Sequence, residues 1–193
     1  MRVARDGEEV LARYDLSDRE RRRLVAVSRQ PGMSTTCTLY RVNRITPLYT
    51  LLPLSSFLLG ERLLPEAERY WAEFPGSDLQ FKYEVERFGG FLKRRLHSGD
   101  LEDPFLEEVL TFEMVATALR YAPRRGPQAD LVGVVRFRHD PTVILALLTA
   151  ERRPPDDLPE GEFDLVLDAR GEELELQVRA RGAKRLDPVA GAT

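Results

Sequence analysis

The chain has 193 residues, 42% of them apolar and 32% charged, and a formal charge of -3 at pH 7, ordinary globular values that exclude wholesale disorder and a collagen-like repeat. At about 150 residues per domain, this length predicts one large domain or a larger and a smaller one. The longest apolar run, residues 48–60, is broken by Pro53 and falls short of the about 20 helical residues that cross a bilayer, so no membrane span is expected.

The N-terminal stretch MRVARDGEEV has no apolar segment behind its arginines, which argues against a secretory signal and for a cytoplasmic setting. Cys37 stands alone and has only His97 and His139 as other soft ligands, so neither an internal disulfide nor a metal site within this chain is expected. Up to Arg125 there are 20 basic and 19 acidic residues, and beyond it 9 and 13, so neither part is a basic domain of the kind that neutralises nucleic-acid phosphates. The cluster Arg19, Arg21, Arg22 and Arg23 has Asp15, Asp18 and Glu20 beside it, and Lys93, Arg94 and Arg95 close a helix whose dipole they complement.

Ser17 followed by Glu20 forms a capping-box pattern and opens a helix that Pro31 and Gly32 stop. A second helix is expected from about Ser34 through Leu39, Tyr40, Val42 and Ile45, bent where Pro47 and Pro53 remove backbone donors. Gly60 serves as a C-cap, and Leu63, Ala67, Tyr70 and Phe74 form one face of the next helix. Phe81, Val85, Phe88, Leu92 and Leu96 then mark a continuous helical stripe. Asp103 and Pro104 start the strongest helix, with Phe105, Val109, Phe112, Ala116 and Leu119 at three and four residue steps.

Residues 122–130 hold two prolines and a glycine, which places a domain boundary there. Beyond it the period changes. Residues 131–137 read as a strand, with Gly133 marking a bulge or a close backbone approach. Asp140 and Pro141 can cap a short helix through Leu148, a strand being the alternative for that piece. FDLVLDA and EELELQV flank a turn with Arg170 and Gly171 and form a hairpin with one mostly apolar face. The expected class is α+β: an all-helical domain over residues 1–125, a small α/β domain with a mainly antiparallel sheet over 130–183, and a loose tail over 184–193.

Catalytic motifs are missing: there is no glycine-rich phosphate loop, nucleophile elbow or paired histidine motif, and no CxxC. Cys37 reads as a small buried hydrophobe, His97 as a helix-end residue and His139 as part of a turn. Glu113 projects beside the apolar stripe of its helix and needs a partner, for which Arg120, Arg41 and Asn43 are the candidates; the expected role is structural.

Taken in order, Tyr40, Arg41 and Asn43 in a YRxN pattern, Pro53 with Leu58, Leu59 and Gly60, Tyr70 and Trp71 before Pro75, Phe88, Phe91 and Leu92, and Leu106 with Glu113 resemble the helical N-terminal domain of the HvfC-like proteins, over about residues 35–121. That family has long been labelled DNA-binding, and its members resemble partner subunits of multinuclear non-haem iron oxidative enzymes that modify cysteine-bearing ribosomal peptides. The resemblance implies that a smaller α/β domain follows, that iron and chemistry reside in a TIM-barrel partner, and that this chain docks to that partner and holds the precursor peptide. It therefore implies a non-enzymatic protein without a cofactor of its own. A peptide can bind as a strand added to an exposed sheet edge, which would put Val132, Val134, Val135 and Arg136 at or near the accepting edge. The core-filling alternative for Val132 and Val134, which share a strand face, stands beside this. A DNA-binding transcriptional regulator is the competing reading; it would use the helix around Arg19 to Arg23, against the near-neutral charge of the helical half.

Overall fold

The capping box is formed as its sequence implies: the Ser17 amide donates to Glu20 Oε2 at 2.9 Å, and the Glu20 amide donates to Ser17 Oγ at 3.4 Å. A computed structural model describes residues 7–12, 14–76, 80–122 and 131–181, and its contacts separate residues 1–46 from residues 47–193. The first unit holds α1 (Gly7–Leu11), α2 (Asp18–Ser28) and the start of α3 (Pro31–Leu51). The last helix begins at Pro31 rather than Ser34, because proline is well suited to a first helical position. Pro47 is carried inside α3, and the helix breaks only at Leu52, ahead of Pro53.

The second unit continues with α4 (Pro53–Leu59), a single 3-10 turn (Gly60–Arg62), α5 (Leu63–Glu73), α6 (Phe81–His97) and α7 (Leu106–Arg120). Then come β1 (Val132–His139), α8 (Pro141–Thr149), β2 (Glu160–Asp168) and β3 (Glu175–Ala180). The fold is α+β, helices first and a small antiparallel sheet after them. Gly60 caps α4 at φ 52°, a left-handed conformation that a side chain would strain. Asp140 caps α8 through the Thr142 amide at 2.8 Å, so the segment after β1 is helix. The boundary expected at residues 122–130 falls almost wholly outside the described residues, as does the tail 184–193.

Tyr70, Phe88, Phe105, Leu48, Leu52, Leu63, Leu92, Leu106 and Leu110 are fully buried in this unit, each contributing about 1.5–3 kcal/mol by leaving water. Tyr70 meets Phe88 edge to face at 5.4 Å and Phe91 at 5.7 Å. Buried Glu66 takes Arg95 Nε at 2.6 Å and also pairs with Arg69. The helix α7 packs against α4, α6 and β1. At β1 the approach is close: a Cβ on Gly133 would collide with Val115 Cγ1. Gly133 therefore marks the close approach, while the bulge sits between Phe137 and His139. Gly133→Ala is expected to cost about 1–3 kcal/mol in urea unfolding by overpacking this seam; an unchanged midpoint would show that the seam has slack.

The sheet edge as candidate functional site

Among the described residues the sheet has three antiparallel strands in the order β1-β2-β3, so β1 and β3 are its edges. Two bonds fix the phase of the ladder. The Ala169 amide donates to the Leu131 carbonyl at 2.8 Å, and the Arg181 amide to the Glu162 carbonyl at 2.7 Å. Because main-chain groups alternate in direction along an antiparallel strand, Gly133, Val135 and Phe137 bond to β2, and Val132, Val134, Arg136 and Arg138 turn theirs outward. On the other edge Glu175, Gln177 and Arg179 bond to β2, and Leu176, Val178 and Ala180 turn theirs outward.

The edges are managed differently. On β1 the outward amide of Arg138 donates to the buried Glu108 carboxylate of α7 at 2.9 Å, and the Arg138 guanidinium donates to the same oxygen at 3.0 Å. That contact and the bulge close the C-terminal part of the β1 edge. Every residue of β3 is exposed. Its inner side chains continue rows that start in the core: Val135, Leu165 and Val178 share one row, and Gly133, Leu167 and Leu176 the next. Val135, Leu165 and Leu167 are buried, whereas Val178 is 38% and Leu176 49% exposed. Among the described residues the helical layer covers β1 and β2 and leaves β3 overhanging.

At the turn before β3, Arg170 grips Asp168 through its side chain and amide, and these hydrogen bonds hold the Asp168 carboxyl down at about 2. A cavity of about 190 Å³ lies there between the end of α7 (Ala116, Leu119, Arg120) and residues 171–174. On the outer face Arg181 bonds to Asp164 and holds that carboxyl below its ordinary value.

The sequence-expected site residues are distributed over several places. Val135 and Phe137 point into the core, while Val134 is 56% exposed and Arg136 lies on the same outer face. The core-filling reading of Val134 is thus corrected, since Gly133 and Val135 turn the inner face of β1 to α7. Val132 is half-buried. Glu113 is buried as expected, but Arg41 and Asn43 are exposed on α3, and Arg120 is exposed at the end of α7. The Glu113 carboxylate instead accepts the amides of Leu54 at 2.7 Å and Ser55 at 2.9 Å, capping the start of α4 from another helix. Backbone amides satisfy it in place of side chains, a pairing that leaves no mark in the sequence. Burial pushes this carboxyl up to about 7, against the opposing pull of the Ser55 hydroxyl and the two amides.

Cys37 is half-buried rather than buried. His97 is exposed and 3.0 Å from Glu107, while His139 is buried edge-on to Phe105 with Nδ1 3.8 Å from Glu108. Among the described residues no three His, Cys, Asp or Glu side chains cluster to hold a metal, and no helix is long and apolar enough to cross a membrane. The feature that periodicity alone could not reveal is the overhang of β3, uncovered among the described residues. No family model matches this chain, and a search of curated proteins finds none that matches it.

Proposed function

We propose that this chain is a non-catalytic peptide-recognition subunit that holds an extended segment of a cysteine-containing ribosomal precursor peptide along β3 and docks it to a TIM-barrel multinuclear non-haem iron oxidative enzyme in the cytoplasm. The iron and the oxidative chemistry belong to the partner, and this chain carries no cofactor. The observation that supports this is the β3 edge, where the outward main-chain groups of Leu176, Val178 and Ala180 lie beside exposed Leu174, Leu176 and Val178. An added strand would take main-chain hydrogen bonds from the edge and selectivity from alternate side chains. The polar groups that could suggest catalysis are engaged structurally: Glu113 caps a helix, and Glu108 closes the other sheet edge.

The ladder's phase supplies a clean test. The Val178 amide points away from β2, so Val178→Pro deletes an outer donor without breaking a bond between β2 and β3. With a fluorescently labelled cysteine-containing peptide encoded beside this chain, Val178→Pro is expected to weaken binding about tenfold or more while leaving the unfolding midpoint near its original value. Val134→Pro, on the β1 edge, is expected to leave binding intact. The reverse pattern would move the peptide to β1. If the peptide fails to bind, no iron-containing complex forms on coexpression with the adjacent gene product, and duplex DNA is bound with a steep salt dependence instead, the regulator reading replaces this one.

A further inference from the structure

Among its described residues the N-terminal unit has almost no core of its own. Between Glu9 and Thr46 the buried residues, among those whose side chains are described, are Leu11 and Arg44. The 11 residues of α2 bury nothing, and Leu24, Leu39, Tyr40 and Val42 are 42–57% exposed. Helices of this length are marginal in water without an apolar surface to pack on. Exposed Tyr and Arg beside aliphatic side chains are the composition of an interface centre.

Charge indicates what covers it. From Asp15 to Thr46 there are seven arginines, of which Arg44 is buried, against three carboxylates, Asp15, Asp18 and Glu20, whereas from Pro47 onward there are 19 basic and 26 acidic residues. The second unit carries its own exposed apolar surface at Leu174, Leu176 and Val178, and this one is edged by exposed Glu172, Glu173 and Glu175. Each unit, taken by itself, thus carries exposed apolar side chains, among arginines in residues 19–46 and among glutamates on the hairpin. A second copy supplies the complement to each. We infer that the basic arm of residues 19–46 seats on the acidic β2–β3 hairpin of a second copy of this chain, reciprocally, in an arm-exchanged dimer. Two identical contacts related by a two-fold axis close the assembly and leave neither surface exposed. The same contact covers the β3 edge, so self-association and strand addition exclude one another. The dimer stands on its own observations whether or not β3 binds a peptide.

Sedimentation velocity of the full chain at about 50 mM and about 0.5 M salt tests this, since rim charges on such a contact are screened at the higher value. The expected result is a dimer at low salt whose dissociation constant rises about tenfold or more at high salt. The arm variant Arg19→Glu/Arg22→Glu/Arg23→Glu and the hairpin variant Glu172→Lys/Glu173→Lys/Glu175→Lys are each expected to be monomeric, because arm and hairpin then carry like charge. Mixed in equal amounts they are expected to form a heterodimer, since both contacts regain opposite charges. A wild-type chain that stays monomeric at about 100 µM and low salt, variants that still dimerise alone, or a mixture that does not pair would each overturn the inference. The arm variant keeps an unaltered β3, so its binding of the labelled peptide tests the recognition reading separately.

Discussion

Alanine at position 103 is expected to lower the unfolding free energy by about 2–4 kcal/mol in urea denaturation. The Asp103 side chain is fully buried and does two things at once. Its Oδ1 accepts the amides of Phe105 and Leu106, both at 3.1 Å, which satisfies the start of α7. Its Oδ2 lies 2.9 Å from the guanidinium of Arg62 and 2.9 Å from that of Arg153, and both arginines also reach the Leu58 carbonyl at the end of α4. One carboxylate thereby ties α4, α7 and the loop after α8 together. Removing it leaves two neighbouring cations without their anion and two amides without an acceptor. The arginines are 41% and 43% exposed, so water screens part of the repulsion and keeps the loss below that of a wholly buried pair. Asp103→Asn, which retains an acceptor for the cap but not the charge, is expected to lose about half as much. A loss under about 0.5 kcal/mol for the alanine variant would mean that the clamp is merely adjacent to the helix junction and does not hold it.

How far the sequence could be read depends on whether a feature is local. The capping box at Ser17, the cap at Asp103, the terminator at Gly60 and the hairpin around Arg170 are each decided within a few residues, and each stands where its residues imply. The start of α7 shifts by two residues, from Pro104 to Leu106, because Asp103 caps a tight turn ahead of the helix proper. The inner face of β1 was ambiguous for a physical reason: residues 131–137 are apolar on both faces, and only the approach of Val115 to Gly133 decides that Val135 faces inward. The overhang of β3 was hidden for another. Alternation shows which side chains share a face, but whether a second layer covers that face depends on the width of the helical layer. Leu167 and Leu176 sit in the same row, one fully buried and the other about half exposed. The candidate site exists because the sheet is one strand wider than its cover.

Glu113 should make the fold less stable as pH rises from about 4.5 to about 7, opposite in sign to an ordinary salt-bridged carboxylate. The direction follows from burial, which is the largest influence on the group. The two amides at the start of α4 and the Ser55 hydroxyl favour the anion but offset only part of the cost of removing it from water. The native state therefore retains a proton at pH values where the unfolded chain has released it. The resulting stabilisation is complete below the unfolded value near 4.5 and is lost as pH climbs through 7, and a shift of that size corresponds to about 3 kcal/mol. Glu113→Gln, neutral at every pH, keeps one acceptor for the α4 amides and is expected to flatten the profile in this window. Glu113→Ala leaves both amides without an acceptor at a buried helix start and should cost about 2–4 kcal/mol near pH 4.5, a deficit that narrows as the wild type loses its own stabilisation towards pH 7. Urea unfolding of the three proteins at about half-unit steps between pH 4.5 and 7.5 separates these effects. A wild-type profile no steeper than that of the glutamine variant would show that the carboxylate is ionised throughout, and that the helix start it caps is more polar than its burial implies.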